Sequence, residues 1–137
     1  MKDIYKKNLY KGKLILKEDV LQQNCIETFK LVFGDFTLDK TKPMIIHIAN
    51  ETSKQTSIGY HVKMKKQGKV AGIPDLMIIN DEKVFFVELK AENGKTSKQQ
   101  NYLIECFEFH KIQCFVCKTE QEFLNICKKN KSGLWKS

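Results

Sequence analysis

Asp75, Glu88 and Lys90 lie close together in this chain, separated only by two apolar runs and a polar turn. Leu76-Met77-Ile78-Ile79 and Val84-Phe85-Phe86-Val87 are rich in the aliphatic and aromatic types that favour strands, and Asn80-Asp81-Glu82-Lys83 joins them. A tight hairpin with Asp81-Glu82 at its tip opposes Ile79 to Val84, Met77 to Phe86 and Asp75 to Glu88. Residues opposed in this way have Cβ atoms roughly 4.5–5.5 Å apart, and like charges there repel. A divalent cation between the carboxylates removes that repulsion, and hard oxygen donors suit Mg²⁺ or Mn²⁺. Lys90 shares the face of Glu88 and can stabilise negative charge or favour hydroxide. Carboxylates, cation and amine together are the equipment of metal-assisted phosphodiester hydrolysis. Register decides whether they meet. A three-residue turn puts the two acids on opposite faces and leaves an ordinary surface hairpin with charged ends. No Asn-Gly or Asp-Gly pair fixes the turn length.

The bulk properties point to a polyanionic partner. The 137 residues suit one domain with its own core, and the net charge is +8. All 24 basic residues are lysine. Lysine neutralises phosphate as a point charge, whereas arginine forks onto phosphate and guanine edges. The expected mode is therefore backbone-dominated, salt-sensitive nucleic-acid binding with little base reading. Five cysteines, no leader-like segment and no apolar run of membrane-spanning length predict a cytoplasmic chain with reduced thiols. Cys114-Phe115-Val116-Cys117 fits the C-x-x-C spacing. It falls in a strand-like run where positions three apart face opposite ways, so core packing is expected rather than zinc or redox chemistry.

Three segments are expected around this centre: a basic arm over residues 1–17, one domain over 18–129 and a basic tail over 130–137 holding Trp135. The arm carries Lys2, Lys6, Lys7, Lys11, Lys13 and Lys17. Residues 18–33 read as a helix with Leu21, Cys25, Phe29 and Val32 on its apolar stripe and Gly34 as its stop. Glu18 continues that stripe by one turn, so it either completes a metal site or opposes the helix dipole. Met44 to Ile48 reads as a strand. The polar stretch 50–72, with three glycines and five lysines, reads as a long loop. It would carry Glu51, His61, Lys63, Lys65, Lys66 and Lys69 past the mouth of the site as a nucleic-acid clamp. Residues 97–109 read as a helix with Tyr102, Leu103, Cys106 and Phe107 buried, opened by the capping box Ser97-Lys98-Gln99-Gln100. Cys114 to Cys117 reads as a buried strand, and Thr119-Glu120-Gln121-Glu122 opens a last helix as a second capping box. The order gives an α/β sandwich on a mixed sheet, with the Cys114 strand parallel to the second hairpin strand.

From about Glu18 to Thr119 the chain resembles the PD-(D/E)xK nuclease superfamily, and more narrowly its virus-type replication-repair nuclease (VRR-NUC) branch in the phage-type, single-domain form. The motifs that carry the resemblance are Lys66-x-Gly68, Gly72-Ile73-Pro74-Asp75-Leu76, Phe86-Val87-Glu88-Leu89-Lys90-Ala91 and Gly94-Lys95-x-Ser97-x-x-Gln100, with His47-Ile48-Ala49-Asn50-Glu51 ahead of them. The resemblance implies a restriction-endonuclease-like fold with an α-βββ-α-β core. It also implies a Mg²⁺- or Mn²⁺-dependent endonuclease hydrolysing DNA, selective for branched, flapped or junction substrates. Asp75, Glu88 and the Leu89 backbone carbonyl would hold the metal, and Lys90, Gln100 and Glu18 would complete the catalytic set. Lys63, Lys65, Lys66, Lys69, Lys95 and Lys98 would bind nucleic acid. A homodimer is implied for so compact a member, without a small-molecule cofactor or a membrane. Two departures touch the periphery. The glycine usual after the Gln100 helix is replaced around His110-Lys111. The first-helix acid can be Glu18, Asp19 or Glu27. Gln100 is either a catalytic group or only a cap. The readings from other classes are a DNA-binding module that does not cut and a structural subunit with the same fold.

Overall fold

A computed structural model of the chain describes residues 5–10, 13–49 and 57–130. The expectations for the arm residues Lys2 and Lys11, for Asn50 and Glu51, and for the tail with Trp135 lie outside these residues.

The sheet is mixed and four-stranded. Its strands are β3 (Met44–His47), β4 (Leu76–Asn80), β5 (Lys83–Leu89) and β6 (Gln113–Cys117), in that order across the sheet. The β4–β5 pairing is antiparallel and matches Ile79 with Val84, Met77 with Phe86 and Leu76 with Val87. The hairpin therefore has the two-residue tip that the site requires. Asp81 supplies it by taking a positive φ of 52°, as the first loop position of a tight hairpin can demand. β6 runs parallel to β5. The crossover between them is α3 (Lys98–Phe109), as parallel neighbours need.

Phe85, Val87 and Leu89 alternate onto one face of β5 and meet Leu76 and Ile78 of β4. α1 (Glu18–Phe33) and α4 (Glu120–Lys129) cover that face with Leu21, Cys25, Phe29, Phe123 and Cys127. Thr28 of α1 donates a hydrogen bond to Glu120 at the start of α4. On the opposite face Phe86 stacks on Phe107 of α3 with ring centroids 4.6 Å apart. β5 is thus covered on both sides, which is why Phe85 to Leu89 are all buried. By the alternation of strands, Asp75, Met77, Phe86 and Glu88 belong to the α3 face.

Several expectations are corrected. The segment read as a basic arm contains two strands, β1 (Tyr5–Tyr10) and β2 (Lys13–Leu16), paired as an antiparallel hairpin, and Ile15 is 1% exposed. The polar stretch read as a long loop contains α2 (Ile58–Lys66), opened by the Ser57 hydroxyl accepting from the Tyr60 N–H. No residue of α2 is buried, so it has no apolar stripe to betray it. In α1, Val32 is exposed and Phe33 packs on Phe29 instead, with centroids 4.9 Å apart. Tyr102 is exposed rather than buried, and β6 is half-buried because it is an edge strand. The second capping box is displaced by one residue. Thr119 accepts from Glu122 N–H, but the Glu122 carboxylate takes the Lys118 N–H. All five cysteines are free. Burial pushes the Cys25, Cys114 and Cys117 thiols up to about 12, which keeps them unreactive.

Candidate active site

Asp75 stands just before β4, one position outside the last β4–β5 pair of Leu76 with Val87, and one further step of that register leads to Glu88. Its Oδ2 accepts the Leu89 N–H at 2.8 Å. Its carbonyl accepts the Ile48 N–H at 2.8 Å. Backbone and side chain are therefore held by different strands. Glu88 is only 4% exposed and takes two donors on one oxygen. Gln100 Nε2 donates to Glu88 Oε1 at 2.7 Å, and Lys90 Nζ lies 3.5 Å from the same atom.

Gln100 does two jobs at once. Its Oε1 accepts the Ser97 N–H at 2.8 Å while the Ser97 hydroxyl accepts the Gln100 N–H, completing the capping box. The cap fixes the side chain so that its other end meets Glu88. One side chain thus makes both the cap and the contact with Glu88. Gly72 makes it possible. Its φ is +82°, and an added Cβ would stand 3.3 Å from the Gln100 backbone nitrogen and 3.0 Å from Gln99 Cγ. The chain leading to Asp75 runs flush against the first turn of α3.

Burial raises both carboxylates above the usual range. For Asp75, desolvation outweighs the Leu89 N–H, with the Glu18 charge adding to the rise. For Glu88, desolvation and the Asp75 charge push it up to about 7 against the pull of Lys90. Two acids that resist ionising side by side form a site short of positive charge.

Glu18 reaches the same region from α1, where its Oε1 accepts the Ala91 N–H at 3.2 Å, one residue beyond Lys90. Its charge acts on both Asp75 and Glu88. Asp19 and Glu27 are exposed on α1. Among the described residues, no three His, Cys, Asp or Glu side chains gather as a ligand set. A two-carboxylate site still fits Mg²⁺, which keeps several waters and takes one or two carboxylates, better than it fits zinc. Lys63, Lys65 and Lys66 are exposed in the last turn of α2, and Lys95 and Lys98 are exposed around the start of α3. Lys69 is half-buried between Gly68 and Gly72. None of these six replaces Lys90 beside Glu88. Sequence reasoning missed Gln22 and His47 as site residues. His47 Nδ1 lies 3.2 Å from the Asp75 carbonyl and 2.9 Å from Gln22 Nε2. The available signals were Gln22 falling one turn after Glu18 and His47 opening the His47-to-Glu51 segment of the resemblance.

The VRR-NUC domain family matches residues 17–121, most of the chain. The chain belongs to that family. Among solved structures, a VRR_NUC domain protein superposes with a TM-score of 0.64 at 21% identity, over 83% of this chain and 87% of its own. A second, a VRR_NUC domain, superposes with a TM-score of 0.53 at 18% identity, over 82% and 96%. At these identities the likeness is one of fold. No curated protein sequence matches. VRR-NUC is a nuclease-type family, and this member has its mixed-sheet α/β fold. Its unusual helix stop also has a physical form. Lys111 takes φ 61° where the family's glycine is expected. Its N–H donates to the Glu108 carbonyl and the Ile112 N–H to the Phe107 carbonyl, closing a Schellman motif around a lysine. Among the described residues, no helix of this VRR-NUC domain is long and apolar enough to cross a membrane.

Proposed function

We propose that this domain is a Mg²⁺- or Mn²⁺-dependent endonuclease that hydrolyses DNA phosphodiester bonds, acts on branched, flapped or junction DNA, and works as a homodimer. The observation that carries the reading is the buried Glu88 beside Asp75, with Gln100 and Lys90 converging on one Glu88 oxygen.

Asp75, Glu88 and the Leu89 carbonyl would hold the metal. The bound ion would polarise the scissile phosphate and acidify a coordinated water. The remaining work belongs to the chain. Leu89 N–H fixes the Asp75 carboxylate, and the Gln100 amide fixes Glu88, so neither must reorganise as charge develops. Lys90 stands beside Glu88 where it can stabilise the negative charge of the pentavalent phosphorus and favour hydroxide over water. Glu18 holds the strand end through Ala91 N–H and so aligns Lys90. Lys63, Lys65, Lys66, Lys69, Lys95 and Lys98 would bind backbone phosphates. Gly72, three residues after Lys69, abuts the first turn of α3, which begins at Lys98 and follows Lys95. Point charges of this kind follow the backbone and read little sequence.

A labelled panel of single strand, duplex, flap and four-way junction, each incubated with Mg²⁺, Mn²⁺ or EDTA, tests the proposal. Metal-dependent cutting concentrated on the flap or the junction supports it. Equal cutting of every substrate would remove the structure selectivity, and binding without cutting would make the domain a binding module.

A further inference from the structure

We infer that His47, held by Gln22, is a positioning residue for Asp75. The inference rests on the nuclease reading and extends the site to two side chains outside its recognised set.

Asp75 lies outside the regular β4–β5 ladder, so its placement depends on added contacts. Ile48 N–H and Leu89 N–H supply two of them. The third is His47, the last residue of β3, whose Nδ1 lies 3.2 Å from the Asp75 carbonyl. Gln22 Nε2 lies 2.9 Å from that same nitrogen. One ring nitrogen of a neutral imidazole cannot accept from Gln22 and donate to Asp75 together. Turning the Gln22 amide by half a rotation presents its oxygen to an Nδ1–H, whose single proton is then shared between that oxygen and the Asp75 carbonyl. The choice fixes Nδ1 as the donor towards the Asp75 carbonyl.

The position of Gln22 makes this a brace rather than an isolated contact. Glu18 and Gln22 are four residues apart and share one face of α1. Glu18 takes the Ala91 N–H at the end of β5, and Gln22 takes His47 at the end of β3. One helix face thus steadies the backbone on both sides of the carboxylate pair. Outer partners of this kind orient the groups that hold a metal, and their loss costs about 10–100-fold in metal affinity or activity.

The test compares wild type, Asp75→Ala, Gln22→Ala, His47→Ala, His47→Asn and His47→Gln in the full chain. Mn²⁺ binding is measured by calorimetry, alongside thermal unfolding in EDTA and cleavage with saturating Mn²⁺. An asparagine amide can stand where Nδ1 stands, whereas a glutamine amide reaches towards the position of Nε2. The expected result is a Mn²⁺ affinity about 10–100-fold weaker in His47→Ala at an unchanged unfolding temperature. His47→Asn should restore most of it and His47→Gln should not, with Gln22→Ala showing a smaller loss in the same direction. Wild-type affinity in His47→Ala, or rescue by glutamine rather than asparagine, would overturn the inference. So would a fall in unfolding temperature that accounts for the loss. In each of these cases Asp75→Ala would still abolish Mn²⁺ binding and the nuclease reading would stand. A wild type that neither binds Mn²⁺ nor cuts would overturn both.

Discussion

Glu88 is buried beside a second acid, so without metal the fold makes it harder to ionise. Its pKa is raised in the fold from 4.5 to about 7. Between those values the folded state binds more protons than the unfolded chain, so stability falls as pH rises through that window. Thermal unfolding in EDTA should therefore show a falling melting temperature from about pH 4.5 to about pH 7. Glu88→Gln removes the Glu88 share of the dependence, leaving that of Asp75, and should be more stable than wild type at pH 8 by roughly 1–3 kcal/mol. A flat wild-type profile would show that Glu88 ionises freely. Lys90→Ala should lower the cleavage rate by at least about 100-fold while changing Mn²⁺ affinity little, since the ammonium acts on developing charge. Normal turnover with much weaker metal binding would contradict that role. The central trio was legible only up to the hairpin register: alternation puts Lys90 on the face of Glu88, and the two-residue tip found in the structure brings Asp75 to that face as well. The Gln22–His47 contact was not, because it joins α1 to β3 and no local pattern records a pairing between them.

At the scale of elements, the site depends on how closely the Gly72 segment meets α3. A side chain at Gly72 would strain a φ of +82° and press on the backbone of Gln99 and Gln100. Gly72→Ala should destabilise the fold by about 1–2 kcal/mol and slow cleavage more than its stability loss explains, because Gln100 is displaced from Glu88. Unfolding and single-turnover cleavage of the same variant check this, and an unperturbed rate would show that the Gln100 contact is dispensable. At the far end of α3, Lys111 bears the left-handed conformation that glycine accepts freely. Lys111→Gly should stabilise the protein by about 1 kcal/mol in denaturant unfolding, without effect on cleavage. The sequence announced α1, α3 and the hairpin through apolar spacing and caps. α2 carries no buried residue and so no periodic stripe, and its Ser57 cap was hidden among polar neighbours. The β1–β2 hairpin was masked by a lysine-rich composition that reads equally well as a solvated arm.

Across the whole molecule, a net charge of +8 carried by lysine alone sets the way it should meet DNA. Replacing Lys63, Lys65, Lys66 and Lys69 by alanine takes the charge from +8 to +4. Binding should weaken on every sequence alike, and the slope of log affinity against log salt should shrink by about 0.9 for each phosphate that the variant no longer neutralises. A slope that does not change would place the DNA elsewhere on the surface. The most direct test of the account is cleavage of a labelled DNA junction by the purified wild type with Mg²⁺, beside Asp75→Ala, Glu88→Ala and a wild-type reaction in EDTA. The account predicts cutting by the wild type with metal and none in the other three, with all proteins folded and DNA still bound. Equal cutting by either alanine variant, or by the wild type in EDTA, would contradict it.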